Sequence, residues 1–339
     1  MTTIKAFYQS RGIDHLESFA IYHGDCRKLL HGIPENSVDT IFADPPYFLS
    51  NGGISVHSGK QVCVDKGDWD KGGTPEYIYE FNRQWLALCR TKLRDNGTIW
   101  ISGTHHNIHV VMRCLQELGY KVLNTITWQK TDPPPNLSYR YFNFSTELII
   151  WARKSDKKPH KFNYETMKLL NGGSQMTDVW RIPAVSLWEK QQGKHPTQKP
   201  LRLLYRIILA STNKGDIVMD PFSGSGTTGI AANLLGRKYI GIEQDEQFCE
   251  LSLRRRQALE DENTRKKLFD KMRSTPEETT VLINHMREKG FSAENAPYYT
   301  VLRFDPSEPV PYDQPVVLHK RLYTQVAHIQ PLSDFIGLR

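Results

Sequence analysis

The sequence predicts an α/β fold in which a mixed, mostly parallel sheet of seven strands is covered by helices on both faces. Short apolar runs alternate along the chain with longer segments whose apolar residues recur at helical spacing. Several short runs end in an acidic residue, and one is followed by a glycine-rich turn. This pattern is typical of strands that bring functional groups to the carboxyl edge of a parallel sheet.

Seven segments are predicted as strands because they are short, apolar and bounded by turn residues. They span residues 19–23, 38–43, 98–102, 124–129, 147–152, 217–220 and 238–243. Helical spacing of apolar residues predicts helices in the intervening segments and after the last strand. These helices cover residues 26–30, 76–93, 107–118, 201–212, 228–235 and 251–274. Gly119 and Gly236 directly follow two of them, in the position that glycine favours at a helix end.

Three segments depart from this alternation. Residues 48–73 are polar, glycine-rich and too long for an ordinary connector, so they are predicted to form a mobile loop. Residues 153–194 are basic at their start and rich in Asn, Gln and Gly. Residues 257–339 are predicted to be a C-terminal extension, with a helix over 277–289 and a strand over 298–304. The arginine run at residues 254–256 is expected to be a solvated helix face.

Composition limits the class of protein. The net charge of +7 suits a polyanionic partner. The chain has no apolar run of membrane-spanning length and no secretory signature at its N-terminus, so a cytoplasmic protein is expected. The five cysteines include no C-x-x-C pair, which favours reduced thiols and argues against a structural zinc.

The tetrapeptide Asp44-Pro45-Pro46-Tyr47 directly follows the second predicted strand, at the functional edge of the sheet. Its prolines lack backbone N–H donors, so the segment presents carbonyl and carboxylate acceptors. Such a site suits an amino group, and the Tyr47 ring can lie against a flat heterocycle. A nucleobase turned out of its stack supplies both features. A simple turn after a buried strand is the alternative interpretation of the tetrapeptide alone.

A second motif is the glycine-rich loop that follows the strand at 217–220. Its Gly224-x-Gly226-x-x-Gly229 spacing matches the dinucleotide fingerprint, so a nicotinamide-dependent oxidoreductase is one hypothesis. Glu243 ends the next strand, where a carboxylate can accept hydrogen bonds from ribose hydroxyls. The oxidoreductase hypothesis leaves the tetrapeptide at 44–47 without a role.

Three motifs in a particular order resemble a known family. Asp-Pro-Pro-Tyr at residues 44–47 comes first, His-Pro-Thr-Gln-Lys-Pro at 195–200 second, and the Phe-x-Gly-x-Gly loop at 222–226 third. This order is similar to that of the beta-group amino DNA methyltransferases. In those enzymes the catalytic half precedes the half that binds S-adenosylmethionine (AdoMet), a circular permutation of the usual order. The resemblance covers about residues 18 to 256.

The resemblance implies the Rossmann-like fold of AdoMet-dependent methyltransferases and a catalytic domain over residues 1–256. It also implies that the catalytic residues are Asp44, Pro45, Pro46 and Tyr47. The residues implied to bind AdoMet are Asp25, Cys26, Asp44, His195, Thr197, Lys199, Pro200, Asp220, Phe222, Ser223, Gly224, Ser225, Gly226, Thr227, Glu243 and Gln244. Among them, Asp25 is expected to accept from the adenine amino group of AdoMet. His195, Thr197 and Lys199, at a helix start, are expected to lie near the AdoMet carboxylate. No metal is expected.

The resemblance also implies contacts with DNA. In the family, the segment that corresponds to residues 153–194 recognises the DNA sequence, and polar side chains supply the donors and acceptors for base edges. The candidate DNA contacts are Arg140, Trp180, Arg181 and Lys190. Double-stranded DNA is the expected substrate, with single-stranded DNA left open. The candidate partners are a second copy of the chain and a cognate restriction endonuclease. Residues 257–339 are expected to bind DNA or to support dimerisation.

The predicted reaction is methyl transfer from AdoMet to N6 of adenine in a short DNA sequence, after base flipping. Adenine is favoured because cytosine-N4 members of the family more often carry serine in the position of Asp44. Cytosine-N4 methylation stays an alternative because both bases present an amino group. RNA and protein-glutamine methyltransferases have related tetrapeptides, but the permuted order and the 153–194 segment favour DNA. A DNA-binding protein without catalysis is a further hypothesis, which the intact tetrapeptide disfavours.

Overall fold

The structure is a computed structural model that describes residues 19–48, 73–133, 135–136, 140–171 and 173–273, with the strand backbone at 6–9, 54–57 and 60–63. The strands are β1 (Ala6–Gln9), β2 (Phe19–His23), β3 (Val38–Ala43), β4 (Ile54–His57), β5 (Lys60–Cys63), β6 (Leu93–Gly103), β7 (Lys121–Gln129), β8 (Thr146–Arg153), β9 (Val179–Arg181), β10 (Ile217–Asp220) and β11 (Lys238–Glu243). The helices are α1 (Cys26–Leu29), α2 (Pro75–Lys92), α3 (Ile108–Glu117), α4 (Tyr164–Leu170), α5 (Leu201–Ser211), α6 (Thr227–Leu234), α7 (Glu246–Gln257) and α8 (Glu262–Arg273).

Nine strands form the main sheet in the order β1-β2-β11-β10-β3-β6-β8-β7-β9. The seven predicted strands are its seven central members, which confirms the predicted fold class. Within these seven, β8 is antiparallel to both of its neighbours and the other pairs are parallel. The edge strands β1 and β9 were not predicted, and they extend the sheet on its two sides.

The sheet carries an apolar core on each face. Because successive side chains of a strand point to opposite faces, β6 contributes Trp100 to one core and Ile99 and Ile101 to the other. The Trp100 core is covered by α4, α5, α6 and α8, and Trp100 stacks on Trp151 with ring centroids 4.6 Å apart. The second core is covered by α1, α2 and α3. The helices therefore lie on both faces, as predicted.

The neighbours β3 and β10 define where a ligand can bind. They are parallel and adjacent, with Thr40 opposite Val218 and Ile41 opposite Met219. The chain leaves β3 toward the face that α2 covers, and it leaves β10 toward the face that α6 covers. A crevice opens at the carboxyl edge of an α/β sheet where neighbouring strands connect to opposite faces. This topology joins the tetrapeptide and the glycine-rich loop, which are far apart in sequence.

Two segments contain more regular structure than predicted. Within residues 48–73, β4 and β5 pair as an antiparallel hairpin, and the predicted mobility stays untested. Residues 153–194 contribute α4, β9 and a 3-10 turn, Leu187–Lys190. Met167, Trp180 and Ile182 of this segment are buried against the Trp100 core. Trp180 and Ile182 have the spacing of a strand, but β9 is only three residues long and gives too short a run to be recognised in the sequence.

The described part of the chain continues past the expected boundary at residue 256. Phe269 and Met272 of α8 are buried in the Trp100 core, and Arg202 of α5 donates to the Lys271 carbonyl oxygen at 3.1 Å. The helix expected at 277–289 and the strand expected at 298–304 lie outside the described residues. Among the helices that the structure describes, none has the length and apolar character needed to cross a membrane.

Candidate active site

A cavity of about 250 Å³ lies at the carboxyl edge of β3 and β10. It brings together most of the site residues predicted from the sequence. These are Asp25, Cys26, Asp44, Pro45, Pro46, Tyr47, His195, Thr197, Lys199, Asp220, Phe222, Ser223, Gly224, Ser225, Thr227, Glu243 and Gln244. Pro200 and Gly226 do not line it. Pro200 is the N-cap residue of α5, while Gly226 adopts a φ of 71° at the start of α6 and faces Ser252.

Asp44 is positioned by the end of β3 and by two hydrogen-bond donors. The Tyr47 hydroxyl donates to Asp44 Oδ1 at 2.7 Å, and Lys199 Nζ donates to Asp44 Oδ2 at 2.5 Å. The Tyr47 hydroxyl also lies 3.2 Å from Ser102 Oγ at the end of β6. Burial raises the pKa of Tyr47 well above its usual value, so the phenol stays neutral. The Asp44 side chain is thus held in a fixed orientation at the wall of the cavity.

Lys199 belongs to a cluster of two cations and two carboxylates. Its Nζ lies 3.7 Å from Glu147 Oε2, and Glu147 Oε1 lies 2.6 Å from Lys130 Nζ. Burial lowers the pKa of Lys199, but Asp44 and Glu147 outweigh that effect and raise it above its usual value. The resemblance placed Lys199 near the AdoMet carboxylate, whereas the structure pairs its ammonium group with Asp44. Glu147 and Lys130 were not predicted, because their role depends on the position of β8 beside β6 and β7.

The glycine-rich loop is held from below by buried polar side chains. Asp220 accepts hydrogen bonds from Phe222 N at 2.9 Å and Thr228 Oγ1 at 2.5 Å, and burial raises the pKa of Asp220 to about 7. Arg255 Nη1 donates to the Ser225 carbonyl oxygen at 2.7 Å and to Thr227 Oγ1 at 2.8 Å. These contacts fix the loop in shape before any ligand binds.

Burial of Arg255 corrects the expectation of a solvated arginine run. Arg255 and Arg256 are buried on α7, and Arg256 Nε donates to Asn233 Oδ1 at 2.7 Å. Only Arg254 of the run is exposed, with a 3.6 Å ion pair to Glu250. Burial lowers the pKa of Arg255 to about 10, so its guanidinium remains charged at neutral pH. Consecutive arginines gave no sign of which side chain points toward the glycine-rich loop.

Glu243 and Asp25 place carboxylates at the other strand ends that border the cavity. Glu243 Oε2 accepts from Gly224 N at 2.6 Å and Oε1 from Asp245 N at 2.8 Å, and burial raises the pKa of Glu243. Each oxygen keeps a second lone pair for a ribose hydroxyl. Asp25 accepts from Arg27 N at 2.8 Å and pairs with Arg27 Nη2 at 2.7 Å. Burial raises the pKa of Asp25, but the hydrogen bonds from Arg27 outweigh it and lower the pKa overall.

An aromatic wall, of which only Phe222 was predicted from the sequence, lines the cavity beside the carboxylates. Phe48 lies 5.5 Å from Phe81, and Phe81 lies 6.2 Å from Phe222, measured between ring centroids. The Arg27 guanidinium lies 5.0 Å from the Phe81 ring centroid. Phe48, Phe81, Tyr77, Arg27 and Phe222 all line the cavity. Apolar rings beside strand-end carboxylates form a slot suited to a flat heterocycle with attached hydroxyls. Phe48 directly follows the tetrapeptide, and Tyr77 and Phe81 lie in α2, so these three rings are outside the motifs recognised in the sequence.

His195 lines the cavity as a neutral imidazole. Burial, with Lys199 and Arg255 nearby, lowers the pKa of His195 to about 3. Its ring packs against Phe248 with centroids 4.1 Å apart. Lys199 therefore carries the positive charge of this motif, and two further points concern its other groups. His195 is uncharged at neutral pH, and Leu201 N at the start of α5 donates to the buried Glu189 Oε2 at 2.7 Å.

The predicted DNA contacts differ in their environments. Trp180 is 4% exposed, its ring lies 6.0 Å from Trp100, and its Nε1 donates to the Thr177 carbonyl oxygen. A side chain in that position packs the core, which corrects the expectation that Trp180 contacts DNA. Arg181 is exposed at the end of β9, and Arg140 is also exposed. Lys190 is half-buried in the 3-10 turn.

Comparison with known proteins identifies the family. Residues 38–254 match the model of the DNA methylase family. The chain is 58% identical over 252 residues to the Type II methyltransferase M2.MboI of Moraxella bovis, across 74% of this chain and 91% of that protein. It is 54% identical over 244 residues to the Type II methyltransferase M2.DpnII of Streptococcus pneumoniae, across 72% and 91% of the two chains. This chain belongs to the DNA methylase family.

Solved structures agree with this assignment. A crystal structure of the M1.HpyAVI–SAM complex matches with a TM-score of 0.52 and 29% identity, across 69% of this chain and 97% of that one. The PvuII DNA methyltransferase (cytosine-N4-specific) matches with a TM-score of 0.60 and 20% identity, across 80% and 96%, which shows a shared fold. This DNA methylase is an enzyme that uses AdoMet as its cofactor. The aromatic wall and the carboxylates of Asp25 and Glu243 fit a nucleoside-containing cofactor, which accounts for the glycine-rich loop without a nicotinamide.

Proposed function

We propose that this DNA methylase transfers a methyl group to N6 of an adenine that has been turned out of the DNA helix. The observation that supports the proposal is that Asp44 of the tetrapeptide and Gly224 of the glycine-rich loop line one cavity. The acceptor amino group and the AdoMet methyl group can therefore meet without any rearrangement of the sheet. AdoMet supplies an electrophilic methyl group on a sulfonium ion. The protein must then hold and activate the acceptor nitrogen, which places two requirements on the site.

The first requirement is to make the adenine amino group a better nucleophile. Its lone pair is delocalised into the ring, so hydrogen bonds accepted from its two protons favour a more tetrahedral and more reactive nitrogen. The Asp44 carboxylate and the Pro45 carbonyl oxygen are the acceptors that we assign to those protons. Both also stabilise the positive charge that develops on the nitrogen. Positioning of the nitrogen supplies much of the remaining acceleration.

The second requirement is a balance of charge around the half-buried acceptor carboxylate. Asp44 and Glu147 carry two negative charges, and Lys199 and Lys130 carry two positive charges within the same cluster. The cluster therefore adds no net formal charge at the cavity wall. An incoming amino group can share Asp44 Oδ1 with the Tyr47 hydroxyl or Oδ2 with Lys199, because each oxygen has two lone pairs. Asp44 need not remove a proton before transfer, since proton loss can follow it.

The base identity is tested by mass spectrometry of nucleosides. DNA is incubated with the purified enzyme and AdoMet carrying an isotopically labelled methyl group, and is then digested. We expect labelled N6-methyldeoxyadenosine, because Asp44 occupies the position where cytosine-N4 enzymes more often carry serine. Labelled N4-methyldeoxycytidine instead would overturn the adenine assignment and leave DNA methylation intact. Incubation with RNA in parallel tests the alternative nucleic acid.

The segment at residues 153–194 is proposed to recognise the DNA sequence, with Arg181, Lys190 and Arg140 as contacts. Arg181 lies at the sheet edge that carries the cavity, as the register partner of Gln129 at the end of β7.

The relatives are Type II methyltransferases, so a restriction endonuclease acting on the same DNA sequence is the proposed partner in the cell. A cytoplasmic location follows from the DNA substrate and agrees with four buried, free cysteines among the described residues.

We also propose that residues 48–73 move during binding and that residues 257–339 support DNA binding or dimerisation.

Sequencing that detects modified bases in DNA from cells expressing the enzyme would test whether it methylates one specific sequence. Methylated adenine confined to one short sequence is the expected result. Sedimentation of the full-length chain and of a chain truncated after Arg273 would show whether the extension causes dimerisation.

A further inference from the structure

An exposed aromatic cluster lies at the sheet edge that carries the cavity. It consists of His105, which follows β6, and of Tyr141, Phe142 and Phe144, which precede β8. Tyr141 is 59% exposed, Phe142 96% and Phe144 56%. Large apolar side chains grouped at this exposure usually mark a contact surface rather than ordinary protein surface. The active site described above does not use these residues.

Two rings of the cluster, His105 and Phe144, are stacked, and Tyr141 is tilted by 45° against Phe144. His105 and Phe144 lie nearly parallel, with centroids 4.8 Å apart and an interplanar angle of 12°. Tyr141 packs on Phe144 with centroids 5.4 Å apart. A second flat ring can therefore extend the stack on its solvent side. Nucleobases are flat rings of this kind, and base–aromatic stacking does not depend on base identity.

Two short chain segments lead from the cluster to residues that contact the catalytic groups. His105 follows Ser102 closely in the chain, and Ser102 Oγ lies 3.2 Å from the Tyr47 hydroxyl. Phe144 precedes Glu147 closely, and Glu147 contacts Lys199, the partner of Asp44. The cluster therefore lies at the same sheet edge as the base-binding tetrapeptide. A DNA strand that places an adenine beside Asp44 would pass over this edge of the sheet.

Positive charge accompanies the cluster. Arg181 ends β9 and is exposed at this edge of the sheet, whereas Lys130, which follows β7 at the same edge, is already paired with Glu147. Cations beside exposed rings are the combination with which proteins bind unpaired nucleic-acid strands. Exposed rings by themselves could also bind another protein. The positive charge at the same edge and the neighbouring tetrapeptide favour a DNA strand as the partner of this cluster.

We propose that the aromatic cluster stacks on the bases that flank the target adenine when the DNA around it is single-stranded. This inference rests on the proposed function, because it names the place where the rest of the single-stranded DNA lies. Each stacked base contributes about 5- to 150-fold in affinity, so two rings matter substantially for strand binding. Stacking is independent of sequence, and recognition of the sequence itself remains with other residues.

The test is strand binding by a double variant, Phe142→Leu with Phe144→Leu. Leucine keeps apolar bulk but removes the aromatic face. The probe is a fluorescein-labelled oligothymidylate, which contains no adenine and therefore reports the cluster rather than the base-binding cavity. We expect the dissociation constant to rise about fivefold or more, with AdoMet affinity unchanged. The slope of log Kd against log salt should stay the same, because no phosphate contact is lost.

Two controls make the result specific. Phe142→Tyr with Phe144→Tyr keeps the rings and should restore the wild-type affinity. Phe162→Leu removes an exposed aromatic ring at the opposite end of the sheet, where Lys161 N bonds the Asn96 carbonyl oxygen, and should have no effect. Arg181→Gln should lower both the affinity and the salt slope by removing a cation at the same edge.

Wild-type affinity for the oligothymidylate in the double leucine variant would overturn the inference. The same conclusion follows if that variant instead loses self-association in sedimentation while it keeps strand binding, because the cluster is then a contact between chains. Either outcome leaves the proposed function standing if the wild-type enzyme methylates adenine in DNA. Failure of the wild-type enzyme to methylate DNA would instead overturn the proposed function.

Discussion

The buried Lys199 and the half-buried Asp44 form an ion pair in which Nζ lies 2.5 Å from Oδ2, while the Tyr47 hydroxyl donates to Oδ1. The carboxylate is therefore fixed from both sides before a base arrives. The 195–200 motif contributes Lys199 and the 44–47 motif contributes Asp44, so two motifs that are distant in sequence act on one functional group. Glu147 and Lys130 complete the charge balance around the pair.

Asp44→Asn should reduce methyl transfer at least about a hundredfold and leave AdoMet binding largely intact. The amide keeps the shape of the side chain but replaces one acceptor oxygen with a donor, which repels an amino proton. Transfer of radiolabelled methyl to DNA measures the first effect, and calorimetric titration with AdoMet measures the second. Normal turnover in the variant would contradict the role that we give to Asp44.

Lys199→Met should lower the free energy of unfolding by about 3 kcal/mol, because it leaves Asp44 without its buried cation. Combining it with Asp44→Asn should recover part of the loss, since no uncompensated charge then remains at that position. Urea unfolding of both single variants and the double variant gives the coupling. Lys158→Met is the matched control, because its ion pair with Asp95 is exposed and should change stability little. Additive losses in the double variant would show that the pair is not coupled.

Asp220 should make stability fall as the pH rises from about 4 to about 7. Its folded-state pKa is near 7, above its usual value of 3.8, so the folded state binds the proton more tightly than the unfolded state does. The Asp220→Asn variant cannot ionise but can still accept from Phe222 N. Its stability relative to the wild type should therefore increase across that pH range. Thermal unfolding at a series of pH values tests this, and a constant difference between the two proteins would refute it.

Arg255→Met should raise the dissociation constant for AdoMet about tenfold, because hydrogen bonds to Ser225 and Thr227 of the glycine-rich loop are lost. Arg254→Met, one residue earlier on α7, removes an exposed arginine and should leave AdoMet affinity unchanged. Fluorescence or calorimetric titration compares the two. Equal AdoMet affinity in both variants would show that Arg255 does not support the loop.

The sequence predicted the seven central strands and the edge at which the site lies, because strand patterns and terminal acidic residues are local signals. It could not predict interactions that depend on which strands become neighbours. Glu147 contacts Lys199 because β8 lies beside β6, and Glu189 bonds Leu201 because a turn of the 153–194 segment lies at the start of α5. Trp180 has the residue type and position expected of a DNA contact, but it lies in the unpredicted edge strand β9 and its side chain is buried. Tertiary contacts determined each of these outcomes.

The three arginines at 254–256 have consequences for how this helix can be studied. Arg254 is 53% exposed in its side chain, whereas Arg255 supports the glycine-rich loop and Arg256 is fully buried against α6. Replacing all three together to look for a phosphate contact would damage cofactor binding and folding at once. Weaker DNA binding by such a triple variant could not be attributed to the loss of a contact between arginine and phosphate. Only the substitution of Arg254 by itself would measure what that helix surface contributes to nucleic acid.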